Sequence, residues 1–275
     1  MEEGGPCDVW AEGDAYERYM GRWSRRVAEL FVTRLGGPAG MRWLDIGCGT
    51  GALTAAVATR CRPRTVLGLD RSPEFVRAAR AAAPGTARFA VADASELPLR
   101  DAAFDAVVSG LALNFLEPPG TAVAEAARVV RPGGCVAAYV WDYAEGMTLL
   151  RRFWDAATAL DPAAAALDEG RRFALCRPGP LRALWTGAGL VDVTVAPIEV
   201  PTVFSGFEDL WEPFLSGQGP APGYVATLTP GARELLRTRL AEALPVRPDG
   251  SVALAARAWA VRGARPAGAE GRRRE

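Results

Sequence analysis

The sequence contains neither lysine nor histidine, so its basic residues are all arginine, and the 32 basic residues balance 32 acidic ones. Histidine is the commonest general base and lysine the usual Schiff-base nucleophile, so any chemistry must do without both residues. The five cysteines include no C-x-x-C pair, and without histidine they offer no plausible zinc site. No long block of like charge runs along the chain, so the sequence does not predict a surface that binds nucleic acid.

Long apolar runs are missing as well. No run approaches ~18 residues, and the opening MEEGGPC has neither a basic nor an apolar signal-peptide region. The sequence therefore predicts no membrane span and no signal peptide, and its scattered cysteines favour a reduced cytoplasmic setting. With 275 residues, 49% of them apolar and 23% charged, the chain has an ordinary globular composition and can bury a core.

Strand and helix patterns alternate through the first half of the chain. A helical pattern over residues 14–35 ends at Gly-Gly-Pro, and the strands that follow are predicted at 41–46, 65–70, 88–92, 104–113 and 134–141. The intervening helices are predicted at 52–59, 73–83 and 120–130. This alternation predicts a doubly wound α/β domain with a parallel sheet, whose ligand binds at the carboxyl ends of the strands.

A glycine-rich loop follows the first of these strands, in the stretch WLDIGCGTGALTAAVA. Gly47, Gly49 and Ala52 satisfy the dinucleotide pattern G-x-G-x-x-G/A, and Asp70 stands where such proteins carry a ribose-binding acid. An ATP-type phosphate loop is excluded because the required Gly-Lys is absent. On the loop alone, a nicotinamide-dependent oxidoreductase therefore stays open.

A series of motifs in a fixed order favours another adenosine ligand. Asp45, Gly47, Gly49 and Gly51 form D-x-G-x-G-x-G. They are followed in order by an acid at residue 70 and by the stretches ADASELP (92–98), FDAVVS (104–109) and RPGG (131–134). With these motifs the chain resembles class I S-adenosylmethionine-dependent methyltransferases, in particular the small-molecule, type 11 group that includes quinone-biosynthesis enzymes.

The resemblance implies S-adenosylmethionine as the cofactor. It implies that Asp70 accepts the ribose hydroxyls, that Asp93 accepts the adenine amino group beside the Ala94 amide, and that Asp45 lies near the amino-acid end. Cys48 is interpreted only as a small residue of the loop. The cofactor contacts predicted from the loop and the strand ends are Asp45, Gly47, Cys48, Gly49, Gly51, Asp70, Arg71, Asp93, Ala94 and Ser109. Tyr16 and Arg22 of the first helix either contact the cofactor or only pack.

The fold of this methyltransferase family also implies a seven-stranded sheet whose last strand is antiparallel. We predict one domain over residues 1–262, with a cofactor-binding core at 14–142, lid insertions at 144–176 and 205–250, and a disordered tail at 263–275. Aromatic side chains in these segments either line an acceptor pocket or pack within the lid. They are Phe115, Trp154, Phe173, Phe204, Phe207, Trp211, Phe214 and Tyr224.

Methyl transfer requires alignment more than a base. Orientation contributes ~7–11 kcal/mol, whereas a general base contributes ~10²–10⁴-fold in rate. The lack of histidine favours a small acceptor that is already nucleophilic, such as a phenolate, carboxylate, amine, thiol or stabilised carbanion. Asn114, the only asparagine, either bonds the acceptor or serves a turn. A protein that binds S-adenosylmethionine without transferring its methyl group is the other alternative.

Overall fold

A computed structural model of the chain describes residues 21–83, 85, 87–217 and 219–267. Seven strands are found in this part: β1 (Arg42–Ile46), β2 (Thr65–Asp70), β3 (Ala87–Val91), β4 (Phe104–Gly110), β5 (Val130–Trp141), β6 (Val191–Phe204) and β7 (Val252–Ala264). The α-helices are α1 (Arg22–Leu35), α2 (Ala52–Arg60), α3 (Pro73–Ala82), α4 (Pro119–Val129), α5 (Thr148–Leu160), α6 (Glu169–Arg172), α7 (Pro178–Gly187), α8 (Phe207–Trp211), α9 (Pro220–Thr227) and α10 (Pro230–Glu242). Short 3₁₀ turns lie at Leu113–Phe115, Pro162–Ala166 and Glu212–Ser216.

The strands form one sheet in the order β3-β2-β1-β4-β5-β7-β6. The pairs β1–β2, β1–β4, β2–β3 and β4–β5 are parallel. β7 runs antiparallel to β5, because Gly133 N bonds Arg265 O at one end while Asp142 N bonds Arg257 O at the other. The predicted fold, a doubly wound and mostly parallel sheet of seven strands with the last antiparallel, is confirmed.

The chain divides into two compact units. The first unit contains Ser24–Val140 and Arg177–Ile198, with the described residues from Trp259 onward. The second contains Trp141–Cys176 and Glu199–Ala258, with the described residues up to Trp23. Both segments predicted as lid insertions, 144–176 and 205–250, fall in the second unit. That these segments act as a lid stays a prediction.

The core of the first unit follows from apolar strands covered by amphipathic helices. In β1, the residues from Trp43 to Ile46 are all buried, as expected for a strand between two parallel neighbours. The α1 helix buries Val27 and Phe31, which lie one turn apart on the same face. Phe31 packs against the Tyr139 ring of β5, with their centroids 4.7 Å apart.

Several element boundaries differ from those predicted. β4 ends at Gly110, and the chain then turns through Leu113–Phe115. β5 begins at Val130, before the predicted start at residue 134, and so includes the RPGG motif: Gly133 N donates to Arg265 O, and Gly134 O accepts from Arg265 N. β6 runs without interruption through Pro197 and Pro201. β7 extends to Ala264, so residues 263 and 264 are strand rather than tail.

Candidate functional site

The glycine loop is held to the end of β2 by backbone hydrogen bonds. Gly47 N and Cys48 N both donate to Leu69 O, at 2.8 and 2.9 Å. Gly49 N donates to the Asp70 carboxylate at 2.9 Å, and Gly51 then begins α2. The loop therefore has one fixed path from the end of β1 to the helix.

Glycine is required at two positions of this loop for different reasons. Gly47 has φ +70°, and a Cβ there would lie 2.4 Å from the Ala112 Cβ, so the backbone passes directly against the loop after β4. Gly49 has φ +52°, and a Cβ there would meet no atom of the described chain within 4 Å. The loop is thus closed on the Ala112 side and open at Gly49, where a ligand can approach the backbone.

Asp70, the last residue of β2, is fixed by the backbone on both sides. Its Oδ2 accepts from Gly49 N and its Oδ1 accepts from Ser72 N, each at 2.9 Å. A carboxylate oxygen has more than one lone pair, so each of these oxygens retains capacity for a ligand hydroxyl. The side chain is only half-buried, and both of its oxygens have a fixed position.

Asp45 is fully buried at the end of β1. Its Oδ2 accepts from the Thr54 hydroxyl at 2.6 Å, while its Oδ1 has no hydrogen-bond partner in the part of the chain that the structure describes. Burial raises the pKa of Asp45 to about 7, with a smaller rise from Asp70 and an opposing fall from the Thr54 bond. An unpaired buried oxygen costs about 1–3 kcal/mol, so it marks a place for a ligand donor.

Asp93 follows β3 and is exposed. Its Oδ1 accepts from Ser95 N at 2.8 Å and from the Ser95 hydroxyl at 2.7 Å. These bonds, together with the positive charge of Arg71, hold the pKa of Asp93 below its usual value, so the carboxylate is ionised. Ala94, beside it, is half-buried.

Two predicted residues lie on and after β4. Ser109 follows Val108, the register partner of Asp45, and successive side chains of a strand point to opposite faces, so Ser109 faces away from Asp45. Its hydroxyl, unpaired among the described residues, lines an apolar cavity with Trp185; at about 20 Å³ the cavity is too small for a ligand. Asn114 lies in the 3₁₀ turn after β4, beside the half-buried Phe115. Its buried Nδ2 finds no acceptor within residues 21–267 as far as they are described.

The aromatic residues predicted for the acceptor pocket, except Phe115 of the first unit, pack with one another inside the second unit. Trp154 and Phe214 contact Phe153 with centroids 5.0 and 4.6 Å apart, and Tyr224 lies 5.9 Å from Trp154. The remaining ring contacts are Phe207 with Trp211, Trp211 with Phe214, Tyr143 with Phe173, and Phe204 with Trp23. These rings form the unit's own core, and their role in acceptor binding stays a prediction.

The predicted contacts from the first helix cannot be located. Tyr16 lies outside the described residues, and so does the side chain of Arg22, although its backbone begins α1. Sequence reasoning also missed the groups that fix the acids, namely Thr54 for Asp45 and Ser95 for Asp93. The Asp-x-Ser spacing signals the second of these contacts, since Asp side chains commonly bond the backbone two residues on.

The residues around the loop fit S-adenosylmethionine. Three features lie at the ends of three neighbouring strands. They are the glycine backbone with positive φ, open at Gly49, the fixed carboxylate of Asp70, which can accept from ribose hydroxyls, and the ionised carboxylate of Asp93. The unpaired Oδ1 of Asp45 adds an acceptor suited to an ammonium group, directly or through water.

Comparison with known proteins agrees with this chemistry. Residues 44–138 match the family model described as a methyltransferase domain. A 2-methyl-6-phytyl-1,4-hydroquinone methyltransferase of Synechocystis is 29% identical over 186 residues, which cover 66% of this chain and 57% of that protein. A malonyl-[acyl-carrier protein] O-methyltransferase of Geobacter sulfurreducens is 38% identical over 129 residues, 46% of this chain and 48% of that protein. The chain thus spans about half the length of these curated relatives.

A solved structure shares the fold. The phosphoethanolamine N-methyltransferase 2 of Haemonchus contortus, in complex with phosphomonomethylethanolamine and S-adenosylhomocysteine, superimposes with a TM-score of 0.58 at 19% identity. The match covers 92% of this chain and 56% of that one. At this identity the likeness concerns the fold alone. The motifs, the sheet topology and the matched family model thus agree on a likeness to methyltransferase domains over residues 44–138.

Proposed function

We propose that this protein transfers the methyl group of S-adenosylmethionine to a small-molecule acceptor. One observation carries the proposal: β1, β2 and β3 are neighbours in the sheet and end, in that order, at the glycine loop, at Asp70 and just before Asp93. S-adenosylmethionine consists of an amino-acid part, a ribose and an adenine in the same order. Each part therefore has a chemically matched group at the end of one strand.

The residue roles follow from this order. The amides at the start of α2 bind the ligand carboxylate, because a helix N-terminus favours negative charge. Asp45 accepts from the ammonium group, Asp70 accepts from both ribose hydroxyls, and Asp93 accepts from the adenine amino group. Ala94 donates its amide to a ring nitrogen.

When bound, the cofactor supplies an electrophilic methyl group attached to a positively charged sulfur. The residues of this chain need to hold the acceptor in line and to exclude water, since the sequence has no histidine or lysine to act as a base. Asn114 is proposed to orient the acceptor, because its buried Nδ2 is unpaired among the residues described here and lies in the turn after β4. An amide donates a hydrogen bond without taking up a proton, so Asn114 is proposed to position the acceptor rather than to activate it.

The acceptor is proposed to be a phenol or hydroquinone, a compound of quinone-like or specialised metabolism. The absence of a strong base favours acceptors that ionise readily by themselves, and the Synechocystis relative is named as a hydroquinone methyltransferase. The Geobacter relative acts on a malonyl carboxylate according to its name, which makes a carboxylate the second candidate.

Calorimetric titration tests the cofactor proposal. S-adenosylhomocysteine should bind, and NAD should not; binding of NAD alone would refute the methyltransferase and favour an oxidoreductase. Incubation with labelled S-adenosylmethionine and a panel of phenols, hydroquinones, carboxylates and amines then tests transfer by mass shift. Binding without transfer to any acceptor would favour a non-catalytic protein of the same fold.

The remaining parts of the proposal concern the first helix and the setting of the reaction. Deleting residues 1–25 should weaken S-adenosylhomocysteine binding if Tyr16 or Arg22 contacts the cofactor, and unchanged affinity would exclude both.

We also propose a cytoplasmic reaction without nucleic-acid partners, supported by a net charge of zero and by free thiols at all four cysteines within the described residues. No helix there is long and apolar enough to cross a membrane. Fractionation of the source cells would test the location.

A further inference from the structure

The loop from β3 to β4 carries Asp93 near its beginning and is fastened at its middle. Asp93 and Ser95 form a local turn through the carboxylate bonds described above, and Glu96 N lies 3.4 Å from Asp93 O. Directly after this turn, Leu97 is buried at 4% exposure, although its neighbours Glu96 and Pro98 are exposed. The exposed turn is thus attached to one buried residue.

Two side chains of α4 satisfy the backbone of this buried residue. Glu125 Oε2 accepts from Leu97 N at 2.8 Å, and Arg128 Nη2 donates to Leu97 O at 3.1 Å. Arg128 Nη1 donates to Leu99 O at 2.8 Å as well. The peptide groups on both sides of Leu97 therefore depend on side chains 28 and 31 residues away in sequence.

The two side chains also hold each other. Arg128 Nε and Nη2 donate to the two oxygens of Glu125, each at 2.7 Å, and Nη1 reaches Asp101 at 2.7 Å. The bond from Arg128 lowers the pKa of Glu125, so that carboxylate stays ionised. A bidentate Arg–carboxylate pair has a rigid, planar geometry, unlike an ordinary exposed ion pair. We refer to Glu125 and Arg128, with their bonds to residues 97–101, as the α4 clamp.

The first residue that the clamp holds is Leu97, three residues after Ala94. The other end of the Asp93 turn is held by the bond from Ala92 N to Asp70 O at 3.1 Å, so the clamp fixes the side of the turn that leads away from β3. We propose that Glu125 and Arg128 are positioning residues that hold the Asp93–Ala94 turn for recognition of the adenine ring. This inference rests on the proposed function, in which Asp93 accepts the adenine amino group. Neither residue of the clamp needs to touch the cofactor itself.

The test measures base preference, which a loss of overall stability alone would not change. Calorimetry compares S-adenosylhomocysteine with S-inosylhomocysteine, in which the amino group is replaced by a carbonyl that cannot donate to Asp93. Arg128→Gln removes the bidentate pair and the bonds to Leu97 and Leu99. It should reduce the preference for the adenine compound by about tenfold, the effect of about one hydrogen bond to a charged group.

Controls separate this inference from the proposed function. Arg131→Gln removes an arginine that pairs with Asp105 near the start of β4 and makes no bond to residues 93–101, so it should keep the wild-type preference. Asp93→Ala should reduce it by at least as much as Arg128→Gln does. If Asp93→Ala reduces the preference while Arg128→Gln retains it, the positioning role is refuted and the proposed function stands. Wild-type protein that binds neither compound would refute both. Glu125→Gln is the second clamp variant if Arg128→Gln does not fold, and a retained preference in it would also refute the role.

Discussion

Replacing Gly47 by alanine should disrupt the site through a contact that is visible in the structure. The new Cβ would lie 2.4 Å from the Ala112 Cβ, whereas carbon atoms pack at ~3.5–4.0 Å. The glycine also has φ +70°, where a side chain costs ~1–2 kcal/mol. Adding ~1–3 kcal/mol for overpacking gives an expected loss of ~2–5 kcal/mol in the free energy of unfolding.

Gly49→Ala provides a matched control in the same loop. Its φ of +52° gives a similar backbone cost, but its Cβ would meet no described atom within 4 Å. Denaturant unfolding should therefore show a loss of only ~1–2 kcal/mol for this variant. A second replacement, Ala112→Gly, should recover part of the stability of Gly47→Ala, because it removes the atom that the new side chain meets.

Cofactor binding should follow the same contact. To relieve the overlap, Gly47→Ala must move either the glycine loop or the turn that carries Asn114, so affinity for S-adenosylhomocysteine should fall by at least ~10-fold. If Gly47→Ala were no less stable than Gly49→Ala, and Ala112→Gly gave no recovery, the close approach of the two loops would be refuted.

Three further variants test the acids of the first unit. Asp70→Ala should weaken S-adenosylhomocysteine binding by ~1–3 kcal/mol in calorimetry, because it leaves donors unpaired; unchanged affinity would exclude Asp70 as the ribose acid. Thr54→Val removes the hydroxyl that donates to Asp45, so it should raise the pKa of Asp45 above its present value of about 7. The fall in unfolding free energy, which ends as pH rises through the folded pKa, should then extend to higher pH, with Thr54→Ser as control. Asp105→Asn should cost ~1–2 kcal/mol at pH 7. Because the bond from Arg42 lowers the pKa of Asp105, this difference should vanish in acid unfolding experiments, and a difference that persisted there would contradict the ion pair.

The first five strands could be predicted because their signals are local. Each strand is a short run of apolar residues, and each helix between them begins or ends at a recognisable residue, such as the Ser72 cap of α3. The inclusion of RPGG in β5 could not be predicted, since Gly133 and Gly134 are held there by Arg265, far away in the sequence. Pairing across such a distance leaves no pattern in either segment.

The same distinction applies to the site. The glycine spacing and the acids at strand ends are local features, so they could be recognised from motifs. The face on which Ser109 lies depends on the register of β4 against β1, which pairs Val108 with Asp45. The α4 clamp depends on contacts between Leu97 and residues 28 and 31 positions away. Neither register nor long-range contacts can be derived from the spacing of residues within one motif.

The absence of histidine and lysine agrees with the hydrogen bonds that hold the three acids at the strand ends. Asp45 is fixed by Thr54, Asp70 by two backbone amides, and Asp93 by Ser95. A reaction that gains ~7–11 kcal/mol from orientation requires such fixed groups, and it gains less from a base. A mobile acid would lose part of this gain, because its own side chain would first have to be ordered. In the proposed function, the polar residues of this strand edge therefore serve placement, and the reactivity comes from the cofactor and from an acceptor that is already nucleophilic.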